Sequence, residues 1–244
     1  MALLLNCDLG ESFGSWTMGL DQAVFPYINQ ANIACGFHAG DPLIMMNTLA
    51  LAKSHGVTVG AHPAYPDLVG FGRRSMNCSE VEIMALVLYQ VSALDGLASS
   101  QGITMEYVKP HGALYNDMMA KPAVRMAIMK AIAQFHRPVK LMLQATQDYS
   151  QHEAEAKELG IELLFEAFAD RCYADDGKLL SRALPGAVHS KEKMLEQVKQ
   201  LKEHGTITSV NGKQLNIKAD SLCVHGDNLA GVNAIAEIKQ LIEK

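Results

Sequence analysis

Short apolar runs alternate along this chain with longer stretches whose hydrophobic positions recur at helical spacing. The runs predict strands near 2–7, 31–37, 57–62, 105–110, 139–144, 161–167 and 221–225. The amphipathic stretches predict helices near 42–55, 79–101, 121–136, 148–159, 190–204 and 228–243. Local signals mark their ends. Asp41 before Pro42 supplies an N-cap and a proline at the first helical position, and Ser79 with Glu82 three residues on makes a capping box. Gly56, Gly102, Gly160 and Gly205 follow helical stretches, as the left-handed closing residue of a helix requires. Strand and helix alternating in this way build a parallel sheet with crossover helices. The fold class is therefore α/β, and an irregular, closed seven-stranded (β/α) barrel is expected in preference to an open doubly wound sheet.

Two segments break the pattern. Between Thr206 and Ile217 two short runs flank Asn211-Gly212, which predicts a hairpin inserted before the last strand. Arg171 to Val188 has no clear period, and a loop that long in a compact domain reads as a lid or binding loop.

With 244 residues, 49% of them hydrophobic, the chain can bury a large core without a staple. No linker or charge block interrupts it, so a single domain over residues 1–244 is expected. The net charge of -5 and the scatter of its 21 Lys and Arg argue against nucleic acid as a partner. The four-residue apolar run near the start is too short for a signal peptide or a bilayer span, so a cytoplasmic protein without a membrane partner is expected. The five Cys form no CxxC pair, and Cys7, Cys35 and Cys223 read as small buried strand residues in preference to nucleophiles.

In parallel α/β folds the active site lies at the carboxyl ends of the strands. Those ends carry Asn6, Asp8 and Glu11; His38 and Asp41; His62 and Asp67; Lys109 and His111; Gln144; Glu166, Asp170 and Arg171; and His225 and Asp227. Four of nine His thus sit at strand ends, and in a barrel they converge on one mouth. Taken singly, each has a plainer reading as a hydrogen-bonded structural residue, which weakens once carboxylates, a Lys and an Arg end the same strands. His55, His136 and His204 fall at helix C-termini, where a cation suits the helix dipole. Asp8, His38 and His62 are candidate ligands for a divalent metal, with His111 and His225 of the same donor type, although no HExxH spacing is present. No Walker A sequence occurs, and GFGRRS lacks the third Gly of a dinucleotide fingerprint.

The motifs NCDLGE, IACGFHAGDP, GAHPAYPDLVGFGRR, VKPHGALYN, FADRCY and CVHGD, in that order from residue 6 to residue 227, resemble the LamB/YcsF family. The resemblance implies an irregular seven-stranded (β/α) barrel of the glycoside hydrolase/deacetylase type. It also implies activity as the A subunit of a bacterial ATP-dependent 5-oxoprolinase, beside B and C subunits related to the parts of allophanate hydrolase. ATP would be a co-substrate bound by those partners. Tyr107, where the family suggests a His, and Ser221, within the apolar run before CVHGD, depart from its pattern.

For lactam opening, Asp8, His38, His62, His111, Glu166, His225 and Asp227 form the expected catalytic set. His225 with Asp227, or His38 with Asp41, would supply a base. Asp8 and Glu166 would hold the ring nitrogen or carry its proton. Lys109 and Arg171 are the expected anion anchors, with Arg182 in reserve, and Asn6, Glu11, Asp41 and Asp170 complete the substrate-binding rim. Two rival readings are a metal-dependent amide or carbohydrate deacetylase, which would need no ATP, and a non-catalytic lactam-binding protein.

Overall fold

The computed structural model describes residues 3–181, 184–224 and 229–243, with side chains from 232 onward in the last segment. Arg182, His225 and Asp227 lie outside the described residues. In chain order the strands are β1 (Leu4–Leu9), β2 (Gln30–Ala34), β3 (Thr58–His62), β4 (Met105–Val108), β5 (Lys140–Gln144), β6 (Leu163–Phe168), β7 (Thr206–Thr208), β8 (Gln214–Asn216) and β9 (Ser221–Cys223). Seven of them, all but β7 and β8, close into a parallel barrel in which β9 pairs with both β6 and β1. The expected barrel is the observed one.

The helices are α1 (Asp21–Val24), α2 (Pro42–His55), α3 (Glu80–Ser100), α4 (Gly112–Ala120), α5 (Pro122–Gln134), α6 (Tyr149–Glu158), α7 (Lys191–His204) and α8 (Leu229–Glu243). Their ends follow the local chemistry. Asp41 caps α2 by accepting from the Leu43 and Ile44 amides at 2.8 and 3.1 Å, and Ser79 with Glu82 completes a capping box on α3. Gly56 and Gly205 close α2 and α7 at φ of 65° and 64°. α3 is long and apolar enough to cross a membrane, with a mean hydropathy of 1.5, but its Ile83, Val87, Val91, Leu94 and Ala98 are buried in the core. Helix α4 is not expected from the sequence. It starts directly after His111, has no side-chain cap and runs for nine residues, too short for periodicity to reveal.

β7 and β8 form the expected hairpin, antiparallel and outside the barrel. Its loop is longer than two residues, because Ser209 and Lys213 close it through Ser209 N to Lys213 O at 2.8 Å and Lys213 N to Ser209 Oγ at 3.0 Å. The hairpin props the Arg171–Val188 segment: the Val210 amide donates to the Tyr173 carbonyl at 2.8 Å, and Asn211 Nδ2 to Asp175 Oδ2 at 3.0 Å.

Along each strand alternate residues face opposite sides. Leu5, Leu9, Ile33 and Val59 join the core with the helices. The other face is polar, and hydrogen bonds link Asn6, Asp8, Gln30, Asn32, Tyr107, Lys109 and Ser221 across β1, β2, β9 and the end of β4. Gly60 makes this interior possible, since a Cβ there would lie 2.2 Å from the Tyr107 ring. Overpacking of this kind costs roughly 1–3 kcal/mol. Gly60→Ala is therefore expected to lower the unfolding free energy by at least that amount, read as an earlier midpoint at unchanged slope in a urea titration, while Gly14→Ala, with no atom within 4 Å of the added carbon, suffers only backbone strain.

Candidate active site

Lys109, one residue past β4, sends its ammonium into the barrel. Nζ lies 2.9 Å from Asp8 Oδ1, 3.0 Å from Glu166 Oε2, 3.3 Å from Asn6 Oδ1 and 3.3 Å from Cys223 Sγ. The Asp8 contact is a hydrogen bond as well as an ion pair, and Glu166 meets the ammonium as an ion pair. Burial alone would pull the lysine pKa down, but Asp8, Cys223 and Glu166 outweigh it and hold it well above the usual range. Asp8 Oδ1 also accepts from Asn32 Nδ2 at 2.7 Å, and Asn32 Oδ1 accepts from Tyr107 Oη at 2.6 Å. Asn6 Nδ2 donates to Ser221 Oγ at 2.7 Å. Tyr107 and Ser221, the two departures from the family pattern, are thus bonded to the site.

A second cluster adjoins this layer. His62 ends β3, His111 precedes α4, and His38 and Glu11 come from the loops after β2 and β1. The His62 Nε2 to His111 Nδ1 separation is 3.0 Å. Glu11 Oε1 stands 3.4 Å from His38 Nε2 and 3.7 Å from His111 Nδ1, and His62 Nε2 stands 3.4 Å from Asp8 Oδ2. The rings of His38 and His111 stack at 3.7 Å and 3°. Burial, then the neighbouring imidazoles, pushes the pKa of His38 and His111 well below 6.5, so both are neutral at pH 7. One ligand atom from each of Glu11, His38, His62 and His111 lies within 4.8 Å of the others, a group that could hold a metal ion. Asp8, expected as a ligand, falls outside that group and is committed to Lys109.

Both clusters open on a cavity of about 500 Å³, lined by Asp8, Glu11, His62, Lys109, His111 and Phe168 at its floor. Arg73, Arg171 and Lys178 line it as well, with Leu179, Leu180 and Ser181 of the expected lid. Arg171 is fixed by a hydrogen bond from Nη2 to the Leu180 carbonyl. Asp41 does not line this cavity; its carboxylate caps α2 and accepts from the Gly14 amide at 2.7 Å. Asp170 is buried without lining it. Asp67 is bound to Arg74 and the Gly70 amide. Sequence reasoning passed over Asn32 and Gln30, although a polar residue at alternate positions of an otherwise apolar run marks an inward polar face. Arg73 carried no such signal.

The profile of the LamB/YcsF family matches residues 3–244. The chain belongs to that family. A relative from Pseudomonas putida that carries the name of a 5-oxoprolinase A subunit is 55% identical over 242 residues, covering 99% of this chain and 94% of that protein. A relative of the same name from Chromohalobacter salexigens is 51% identical, covering 98% and 96%. The crystal structure of a lactam utilization protein from Thermus thermophilus superposes with a TM-score of 0.91 at 36% identity, covering all of this chain and 96% of that one. A putative cellobiose-phosphate cleavage protein of Enterococcus faecalis, at a TM-score of 0.56 and 11% identity, shares the fold alone.

The expected use of Lys109 as an anion anchor does not suit this LamB/YcsF barrel. Two carboxylates already meet the ammonium, so the trio carries net negative charge. Lys109→Met strands both carboxylates and is expected to cost roughly 3–5 kcal/mol. Because the lysine pKa is raised, this stabilisation is complete below the ordinary value of 10.5 and is lost only as pH climbs through the higher folded value. Chemical denaturation at pH 7 checks the loss; an unchanged midpoint contradicts the pairing.

The cysteines answer to their expected role. Burial raises the Cys7 and Cys223 thiols strongly and pushes Cys35 up to about 12. Native alkylation at pH 8 should therefore modify the half-exposed Cys78 first and leave these three unlabelled until the chain unfolds, as peptide mass mapping would read.

Proposed function

We propose that this chain is the cytoplasmic A subunit of an ATP-dependent 5-oxoprolinase, which with B and C subunits converts 5-oxo-L-proline, ATP and water to L-glutamate, ADP and phosphate. The observation that carries this reading is the 55% identity, over 99% of the chain, to a relative named as a 5-oxoprolinase A subunit. The free thiols suit a reducing compartment.

A five-membered lactam is a resonance-stabilised amide whose carbonyl resists attack and whose ring re-forms readily. ATP supplies activation and direction. With no nucleotide-binding signature in this sequence, ATP belongs to the partners, which phosphorylate the lactam oxygen. The present chain then binds the activated ring and directs a first water onto its carbon; the ring C–N bond breaks as a proton passes to the departing nitrogen, and a second water converts the resulting acyl phosphate to glutamate and phosphate. The Glu11, His62 and His111 end of the cavity is the one suited to water, having a carboxylate and imidazoles at close range. Arg171 and Arg73, on the cavity wall, take the substrate carboxylate and the departing phosphate. Lys109 positions Asp8 beside His62 and does not itself hold the anion. The expected base pair of His225 and Asp227, and the reserve anchor Arg182, lie outside the described residues.

Glutamate release from 5-oxoproline and ATP should be absent with this chain alone and appear when B and C are added. Robust ATP hydrolysis by the isolated chain would end the division of labour, and silence of the complete set would end the assignment. The His and Glu group favours one second reading, a metal-dependent amide or carbohydrate deacetylase. Acetate release from acetylated sugars by the isolated chain, without ATP, would select it.

A further inference from the structure

Two imidazoles at the cavity floor have their tautomers set by main-chain carbonyls. His62 Nδ1 lies 2.6 Å from the carbonyl oxygen of Lys109, and His111 Nε2 lies 2.9 Å from that of Phe71. A carbonyl oxygen only accepts, so each of these nitrogens carries its ring's proton. With one proton on each ring, the other two nitrogens, His62 Nε2 and His111 Nδ1, are lone pairs facing one another at 3.0 Å. Neither can donate to the other. Two buried lone pairs at that distance repel unless a cation lies between them, and Glu11 brings a carboxylate oxygen to 3.7 Å from His111 Nδ1.

The geometry points to a binding site for one divalent ion of the zinc class, with His62 Nε2, His111 Nδ1 and Glu11 Oε1 as its ligands. In a tetrahedral shell with bonds of about 2.1 Å, neighbouring donors stand roughly 3.4 Å apart. The observed edges of 3.0 and 3.7 Å bracket that separation. Two imidazoles and a carboxylate suit zinc and its neighbours better than magnesium or calcium, which prefer all-oxygen shells. Three protein ligands opening on a cavity leave a coordination position for water or substrate. The carbonyls of Lys109 and Phe71 are the outer partners that hold both rings in ligating orientation.

His38 has a different part. Its ring lies parallel to that of His111, so their in-plane lone pairs run side by side and cannot converge on one ion. Both His38 nitrogens are buried without a hydrogen-bond partner, and Nε2 stands 3.4 Å from Glu11 Oε1. His38 is a positioning residue for Glu11. Of Asp8, His38 and His62, the ligands expected first from sequence, His62 is kept, and His111, of the same donor type, joins it.

The ion occupies the end of the cavity that the proposed function assigns to water, but its binding needs neither substrate nor partner subunits. Tag-free protein stripped with a chelator would be titrated with zinc, cobalt and magnesium chlorides by calorimetry, with stoichiometry from elemental analysis. One zinc per chain is expected, with cobalt in the same site and magnesium a poor competitor. His62→Ala, His111→Ala and Glu11→Gln should each weaken zinc binding by about 100-fold or more, and His38→Gln by about 10-fold. His204→Ala, at an exposed helix end, should not. Nitrogen-15 spectra of the metal-free wild type should show His62 protonated at Nδ1 and His111 at Nε2, with zinc shifting the other two nitrogens. No zinc at tens of micromolar, unchanged affinity in the three ligand variants, a preference for magnesium, or one proton shared between the two rings would overturn the site. Each result leaves the ATP-dependent assay to stand or fall separately.

Discussion

An ammonium buried inside a closed barrel must be neutralised where it stands, and the surrounding interior is arranged to do so. Lys109 is 3% exposed, and an uncompensated charge there would cost several kcal/mol. Asp8 and Glu166 reach it from β1 and β6, and their remaining polar demands set the next layer. Asn32 serves Asp8, Tyr107 serves Asn32, and Ser221 takes the Asn6 amide and itself donates to Gln30 Oε1 at 2.7 Å. Barrel interiors are ordinarily packed with branched apolar side chains. Here the apolar contribution falls to the outer face of the strands, beneath the helices, and the inner face becomes a connected polar network. Such a network is stable only when its members are satisfied together. That makes Tyr107 and Ser221 as much a part of the site as the charged residues they support.

The imidazole cluster depends on backbone more than on side chains. His111 is held by the Phe71 carbonyl, and Phe71 is the described non-glycine residue with positive φ, at 53°. Strain of that kind persists only where the surroundings enforce it. Gly72 explains how they do so. A Cβ there would come within 2.8 Å of His38 Cβ and 2.9 Å of His111 Cδ2, so the chain can close over the rings only with glycine at this position. The loop after β3 therefore sets the tautomer of a histidine that belongs to the next strand end.

The pattern of the sequence carried the barrel, the hairpin and most helix boundaries, because capping residues and glycines encode local backbone directly. It also placed Asp8, His62, Lys109, His111, Glu166 and Arg171 in one site, since strand ends converge in any parallel barrel. Pairings were beyond it. Whether Lys109 faces an anion or two carboxylates depends on how side chains from separate strands meet inside the barrel, where Asp8 and Glu166 come to 2.9 and 3.0 Å from the ammonium. Asp41 shows the limit from the other side. A polar residue after a strand is equally the first cap of the following helix, and only coordinates separate the two uses.

Charge is distributed unevenly around the cavity, and this bears on how an anionic ring would lie in it. The floor holds Asp8 and Glu11, with Glu166 buried behind Lys109, against that one lysine, whereas the wall and lid carry Arg73, Arg171 and Lys178. A ligand with a carboxylate is repelled by the first region and drawn to the second. Under the proposed function, the carboxylate and the activating phosphate would both face the arginines, leaving the lactam carbon directed at Glu11, His62 and His111. The lid then has a chemical task as well as a covering one, because its Leu180 carbonyl fixes the Arg171 guanidinium. Under the same proposal, a shift of this segment would carry the Arg171 anchor with it.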